Sequence, residues 1–281
     1  MDICVGKKFR ILEQIGKGAF GKIFKAENKN TNELVAIKLE KKANNITLKN
    51  EARIYTQLKE LQCIPKIKSF GVDGKYNFLV IDLLDKSLYD LIRDDDKLAL
   101  KDVVSIGNEL IEIIKHVHDC GIIHRDIKPE NFMFSGNKIK LIDFGLSRKY
   151  VHNCKHITLE NNKSIVGTPY FIGIHIHDGQ TPSRRDDVES IGYILMYLLF
   201  GTLPWLNQIS NTKEERNRRV YEIKKDCPFT IFKSAPKELK IFIQCCRDIS
   251  FSEKPNYSYL INLLQMLAKA TQNSAIISAS K

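Results

Sequence analysis

No apolar run in this chain reaches the roughly 18 residues that a spanning helix needs, so no membrane span is expected. The opening Met1-Asp2-Ile3-Cys4-Val5-Gly6-Lys7 lacks the apolar core of a secretory leader, and neither end shows a lipidation signal. The cysteines (Cys4, Cys63, Cys120, Cys154, Cys227, Cys245 and Cys246) are odd in number and lack paired metal-ligand spacing. They read as reduced thiols of a cytoplasmic or nuclear protein, not as a disulfide framework or a zinc site. Internal repeats and low-complexity segments are missing too, which excludes solenoid and fibrous classes.

Acidic charge is scarce. Asp and Glu number 33 against 44 Lys and Arg, a formal net charge of +11. Such a balance suits acidic proteins, nucleic acid or an anionic membrane, and equally a merely soluble surface. The basic clusters Lys38-Leu39-Glu40-Lys41-Lys42, Arg216-Asn217-Arg218-Arg219 and Lys224-Lys225 carry no interleaved aromatic residues. A stacking platform for nucleic acid is therefore not expected. At 281 residues, 43% hydrophobic and 27% charged, the chain reads as an ordinary globular protein of about two domains, a monomer by default.

What is present divides at about residue 82. Period-two alternation predicts strands over Phe9–Ile15, Gly21–Glu27, Leu34–Leu39, Ile67–Phe70 and Tyr76–Ile81. One helix, about Leu48 to Leu61, interrupts them, with Leu48, Ala52 and Tyr55 at helical spacing. From Ser87 onward helices dominate: Val103–His118, Asp187–Phe200, Glu214–Lys225, Pro236–Ile249 and Ser258–Ala270. The small, polar residues 271–281 predict a short frayed tail.

Four groups of residues carry chemistry. Gly16, Gly18 and Gly21 remove side chains where backbone N–H groups could approach an anion, although a tight turn explains such spacing as well. A dinucleotide-binding turn needs a helix after the third glycine, and Lys22-Ile23-Phe24 reads as strand. Lys38 closes the apolar run Val35-Ala36-Ile37, where an ammonium is costly unless paired or solvated. The string His124-Arg125-Asp126-Ile127-Lys128-Pro129-Glu130-Asn131 sets a carboxylate, a cation and an oxygen ligand within a few residues. Asp143-Phe144-Gly145 adds a second carboxylate beside a glycine. Together these supply a general base, phosphate-facing cations and ligands for a hard metal ion.

In this order the parts resemble eukaryotic protein kinases, over roughly Phe9 to Ala268. Within them the chain looks like the casein kinase 1 group, through Ser183-Arg184-Arg185-Asp186-Asp187-Val188-Glu189-Ser190-Ile191-Gly192-Tyr193, Leu203-Pro204-Trp205 and Lys254-Pro255-Asn256-Tyr257-Ser258-Tyr259-Leu260. The resemblance implies an α+β bilobal kinase fold over residues 9–270: a small β-rich N-lobe (9–81), a hinge (82–86) and a larger helical C-lobe (87–270). It implies an ATP- and Mg²⁺-dependent serine/threonine kinase acting on acidic or phospho-primed proteins. Asp126 would be the base and Lys128 the γ-phosphate contact. Lys38, paired with Glu51, would orient the α- and β-phosphates. Asn131 and Asp143 would hold Mg²⁺. Ile15, Ile23, Ala36, Met133 and Ile142 would line the adenine site, with Ile81 as gatekeeper and Asp82-Leu83-Leu84 as hinge. Each of these apolar residues is equally readable as core. Thr168 with Lys128 resembles the serine/threonine class, and Asp187 would anchor the catalytic-loop backbone. Arg184 with a lysine at Lys224-Lys225, taken as Lys225, would bind a substrate anion; the alternative is that one arginine of the pair, Arg185 more readily than Arg184, is structural and braces the loop against a neighbouring carboxylate.

Two features depart from the resemblance. Gly173-Ile174-His175 stands where most kinases have Ala-Pro-Glu and where this group has Ser-Ile-Asn. The hairpin between Asn131 and Asp143 is short for the group. A scaffold that keeps the fold without turnover is expected to have lost Lys38, Asp126 or Asp143, and all three are present. The complete helical region and Thr168 favour protein over small-molecule or lipid substrates.

Overall fold

The computed structural model describes residues 3–18, 21–42, 47–207, 210, 212–226 and 228–279, so Ala19 and Phe20 of the glycine loop, and Cys227, lie outside it. The chain forms two compact units. The first joins Met1–Lys86 with Phe132–Ser147; the second joins Ser87–Asn131 with Arg148–Lys281.

The first unit is built on a six-stranded antiparallel sheet: β1 (Cys4–Val5), β2 (Phe9–Gly18), β3 (Gly21–Asn28), β4 (Leu34–Lys41), β5 (Ile67–Asp73) and β6 (Tyr76–Asp82). Their order across the sheet is β1-β2-β3-β4-β6-β5. Because side chains alternate, Ala26, Val35, Ile37, Phe78 and Val80 share one face, where they bury a core with Val5 and Phe9. The register places Ile23, Ala36, Lys38 and Ile81 on the other face. A single helix, α1 (Thr47–Gln57), lies between β4 and β5 in the chain and buries the stripe Leu48, Glu51, Ala52, Ile54 and Tyr55. It ends earlier than its periodicity predicts. Leu58 N–H still donates to Ile54 O, but Leu61 N–H then donates to Leu58 O, a tightening that leaves the helix.

The residues 132–147, predicted in the helical region, belong to the first unit. Their hairpin (Phe132–Ser135 against Lys138–Leu141) is stitched there by backbone bonds from Asp85 N–H to Phe134 O (2.9 Å), Phe134 N–H to Lys86 O (2.8 Å) and Leu141 N–H to Cys63 O (2.9 Å). Sequence neighbourhood cannot reveal such pairing.

The second unit contains α2 (Leu88–Asp95), α3 (Leu100–Asp119), α4 (Ile174–His177), α5 (Arg184–Phe200), α6 (Lys213–Lys224), α7 (Pro228–Ile231), α8 (Lys237–Asp248) and α9 (Tyr257–Ala279). Every residue of α5 from Arg184 to Leu198 is buried, which makes it the central helix; α3 and α8 pack against it, and α9 packs on α3. It stops at Gly201, whose φ of +72° suits glycine and whose added Cβ would meet Asp96 O at 2.1 Å. The sequence had no clear signal for α2 and α4. Ser87 starts α2 through a reciprocal cap with Asp90. The expected frayed tail is helix to Ala279, since residues 271–279 contain no glycine or proline to stop it. No helix among the described residues is long and apolar enough to cross a membrane.

Candidate active site

In the first unit, Lys38 stands on the open face of β4 and Glu51 on the buried stripe of α1, so sheet and helix bring them together. Lys38 Nζ donates to Glu51 Oε2 at 2.9 Å and to Asp143 Oδ1 at 2.7 Å. Burial works against the ammonium, yet the two carboxylates outweigh it and hold its pKa above the ordinary value. Burial also pushes Glu51 up, to about 7, against the pull of Lys38. Asp143 sits at φ +63°, a left-handed backbone uncommon for a side-chain-bearing residue. It is held there by its N–H donating to Tyr55 Oη (3.2 Å). Gly145 packs closely beside it: an added Cβ would meet Asp143 Oδ1 at 3.2 Å, a tight contact, and Glu51 Oε2 at 3.6 Å.

The three glycines of the loop have different reasons to exist. A Cβ on Gly21 would meet Leu39 O at 2.2 Å, so close strand approach alone demands this glycine. Gly16 packs against Ile23, at 3.4 Å from a built Cβ. Of the three, Gly18 alone faces space with no atom of the described residues within 4 Å of a built Cβ, as a residue that leaves room for a ligand would. Ile23, Ala36, Ile81, Leu84, Met133 and Ile142 are all half-buried, and Ile15 is exposed. None belongs to the closed core, so an apolar ring could cover them. The Asp82 side chain, for which the sequence predicts no role, is fully engaged. Its carboxylate accepts from Lys66 N–H (2.8 Å) and pairs with Lys68 (3.1 Å) and Lys140 (3.6 Å), and these contacts overcome burial to lower its pKa. Its side chain is committed to these contacts, and its N–H donates to Lys66 O (3.2 Å).

In the second unit, Asp126, Lys128 and Thr168 close a triangle. Thr168 gives both its N–H (2.9 Å) and its hydroxyl (2.8 Å) to Asp126 Oδ1. Lys128 Nζ donates to Asp126 Oδ2 (2.6 Å) and to Thr168 Oγ1 (3.1 Å). Asn131 Nδ2 donates to Asp126 O (2.8 Å), which turns its carbonyl oxygen into the available ligand atom. An amide oxygen on Asn131 and a carboxylate on Asp143, whose side chain is 35% exposed, are the hard donors that Mg²⁺ prefers. Each donor, taken within its own unit, has the chemistry such an ion needs.

The catalytic-loop backbone is fixed from beneath. Asp187, on α5, accepts from His124 N–H (2.7 Å) and Arg125 N–H (2.9 Å). His118 Nε2 meets the same carboxylate at 3.0 Å and its Nδ1 meets Tyr257 Oη at 2.8 Å. Burial lowers the His118 pKa, so the ring is neutral; it gives Nε2–H to Asp187 and accepts from Tyr257. Burial alone would raise Asp187, but His118 and the loop hold it below the usual carboxylate range. Arg125 adopts φ +68° over this anchor.

The segment that lacks Ala-Pro-Glu is held by other residues. Glu189 on α5 accepts from Ile174 N–H (3.0 Å) and pairs with Arg247 Nε (3.0 Å); its side chain is fully buried. Tyr193 also donates its hydroxyl to Glu189. A Cβ on Gly173 would meet Glu189 Oε2 at 2.7 Å and Asp186 Oδ1 at 2.8 Å, so glycine is suited to this approach. Lys224 is buried; its Nζ donates to Pro169 O (2.9 Å) and Ile172 O (2.8 Å) and lies over Tyr193 and Trp205.

The expected anion pair at Arg184 and Lys225 is not formed as such. Arg184 turns inward, donating to Ser252 O (2.6 Å) and Tyr150 Oη (3.3 Å) with its plane over Tyr150. Arg185 is bonded to a backbone carbonyl, Ile249 O, and to the Gln180 side chain. Lys225 stays at the surface, over Tyr221. Arginine forks match carbonyls as well as phosphates, so the string alone could not tell brace from binding site.

Sequence reasoning also passed over Tyr55, His118, Tyr257 and Arg247. Tyr55 was readable only as part of a helical stripe, and the others lie far along the chain from what they orient. The family model for the protein kinase domain matches residues 9–264.

Proposed function

The chain belongs to the protein kinase family, and from that premise we propose that it is a serine/threonine kinase of casein kinase 1 type acting on acidic protein substrates. Protein kinases use ATP with Mg²⁺ and have protein substrates. Bound Mg²⁺ supplies neutralisation of charge that develops on the phosphates. Asp143 and Asn131 are the residues that would hold it. Lys38, kept protonated by Glu51 and Asp143, orients the α- and β-phosphates. The acceptor hydroxyl oxygen bonds to the γ-phosphorus as the bond to the β-phosphate oxygen breaks and ADP leaves. The hydroxyl proton passes to Asp126, and Lys128 faces the transferring group.

The observation that carries this reading is the triangle at Asp126. An aliphatic hydroxyl, that of Thr168, already donates to the base and accepts from Lys128. The same surroundings suit a substrate serine or threonine. The casein kinase 1 type is supported by the Ser183–Tyr193 string and by an activation segment lacking Ala-Pro-Glu. A preference for acidic substrates is supported by the net charge of +11 and by exposed Arg148, Lys149, Lys155 and Lys163. Any phospho-primed preference draws on these and Lys225, not on the inward Arg184. The experiment is transfer of labelled phosphate from Mg-ATP to casein, with identification of the phosphorylated amino acid. Phosphoserine and phosphothreonine are expected, with activity lowered about 10²–10⁴-fold in Asp126→Asn. Phosphotyrosine as the product, or an undiminished variant, overturns the assignment.

A further inference from the structure

The first unit carries a second concavity that phosphoryl transfer does not use. It measures about 450 Å³ and lies between the turn after α1, the entry to β5 and the 132–141 hairpin. Lys59, Lys66, Lys138 and Lys140 stand around it, and Leu61 and Ile64 line it, with Ile64 only 3% exposed. Strand alternation explains the hairpin's share: Lys138 and Lys140 flank the buried Ile139 and so project from the same side. The walls are tied by backbone bonds, Leu141 N–H to Cys63 O (2.9 Å) and Asp82 N–H to Lys66 O (3.2 Å), so the cavity is preformed.

Its charge is balanced from within only in part, because Glu60 is the one carboxylate among the described lining residues, against four lysines. Lys59 has Glu60 at 3.8 Å, and Lys140 shares Asp82, at 3.6 Å, with Lys68. The Lys66 and Lys138 ammonium groups pair with no carboxylate among the described residues. Like charges gathered around one concavity repel each other, and neither the sheet nor the hairpin needs lysine at these positions. An anion relieves the repulsion. All four cations are lysines, point charges that suit carboxylates in several arrangements; the planar fork that grips phosphate bidentately is missing from the rim. The apolar floor and the size, within the roughly 300–1,000 Å³ of ligand pockets, exceed what a lone phosphate fills.

We infer that this cavity is a docking site for an acidic stretch of a partner protein, with carboxylates on the lysine rim and one apolar side chain on the Leu61–Ile64 floor. The probe is a short labelled peptide of Asp and Glu around a central leucine, followed by fluorescence anisotropy on the whole chain. Binding is expected to weaken as salt rises and to fall about tenfold or more in the Lys66→Glu/Lys138→Glu double variant. A charge-matched control, Lys233→Glu/Lys237→Glu, changes the same net charge on exposed positions of the other unit. It is expected to bind as the wild type does. Equal loss in both double variants, or no binding by wild type, overturns the site. Displacement of the peptide by inorganic phosphate at equal concentration overturns the peptide class in favour of a phosphate site. Since binding is read directly, its failure is separate from any failure of phosphoryl transfer.

Discussion

Lys38 in the first unit and Lys224 in the second are both lysines taken largely out of water, and opposite means hold them. Lys38 meets two carboxylates, one of them partly open to solvent. Lys224 meets two carbonyl oxygens and two aromatic faces, with no carboxylate among the described residues in hydrogen-bond reach. Burial disfavours both ammonium groups. At Lys38 the carboxylates reverse the effect and the pKa rises; at Lys224 burial wins and the pKa falls well below the ordinary 10.5. A permanent cation beside an accessible carboxylate can turn to a ligand. A cation spent on backbone carbonyls holds a segment in place. Burial of a lysine is thus no sign of catalysis until its partners are known.

The largest expected effect tests that division directly. Lys38→Met should lower transfer by at least about 10²-fold, on the scale of losing one preorganised electrostatic donor, with an unchanged circular dichroism spectrum. A variant that turns over normally breaks the comparison, because Lys38 would then be structural like Lys224. Next comes Glu189→Ala, which leaves the Arg247 guanidinium buried without its carboxylate and Ile174 N–H without an acceptor. Unfolding free energy in urea should drop by roughly 3–5 kcal/mol, and KM for peptide should rise. An unchanged denaturation midpoint would show that Ala-Pro-Glu has no substitute in Glu189.

A smaller effect follows from Glu51. Its pKa is raised from 4.5 to about 7, so the folded chain binds more protons than the unfolded one between those values. Stability from this group is full below pH 4.5 and is lost as pH rises toward 7. Activity, which needs the ionised carboxylate, should instead rise along an acid limb centred near pH 7. The limb is read from kcat against pH, and its persistence in Glu51→Gln assigns it to another group. Smallest is Lys224→Met. Two carbonyls lose their donor, at about 1–3 kcal/mol each, while a desolvated cation is removed, so the terms largely offset. The pH slope is the sharper readout. With its folded pKa held below 10.5 by burial, Lys224 binds fewer protons in the folded than in the unfolded chain as pH approaches 10.5, so its contribution to stability improves over that rise. Wild type should therefore gain on the variant as pH is raised toward 10.5; parallel curves would mean that the two lysines do not differ.

The parts legible in the sequence are those whose members are close along the chain. His124–Asn131 and Asp143–Gly145 occupy contiguous stretches, and β2 to β6 announce themselves by alternation. The pairing of Lys38 with Glu51 is expected only through the family resemblance, because Glu51 alone reads as a surface carboxylate on a helix. The rest depends on distance in the fold. Glu189 and Arg247 are 58 residues apart, and each alone reads as a helical charge. α4 has only four residues, too few to show a period, and Arg184 looks the same in sequence whether it faces a phosphate or Ser252 O. The contacts of the Asp82 carboxylate with Lys66 N–H, Lys68 and Lys140 likewise lie across strands and hairpin, out of reach of local pattern.

The membership of residues 132–147 in the first unit has a consequence for how the gene can be cut. The chain passes from one unit to the other after Lys86, Asn131 and Ser147, so neither unit is a single interval of coding sequence. A fragment ending at Lys86 would carry Lys38 and Glu51 but leave behind Asp143 and the hairpin that bonds to Asp85, Lys86 and Cys63. Module exchange with a related chain must therefore move two intervals together, and a split-protein reporter cut at Lys86 would place one ammonium's two carboxylates on different polypeptides.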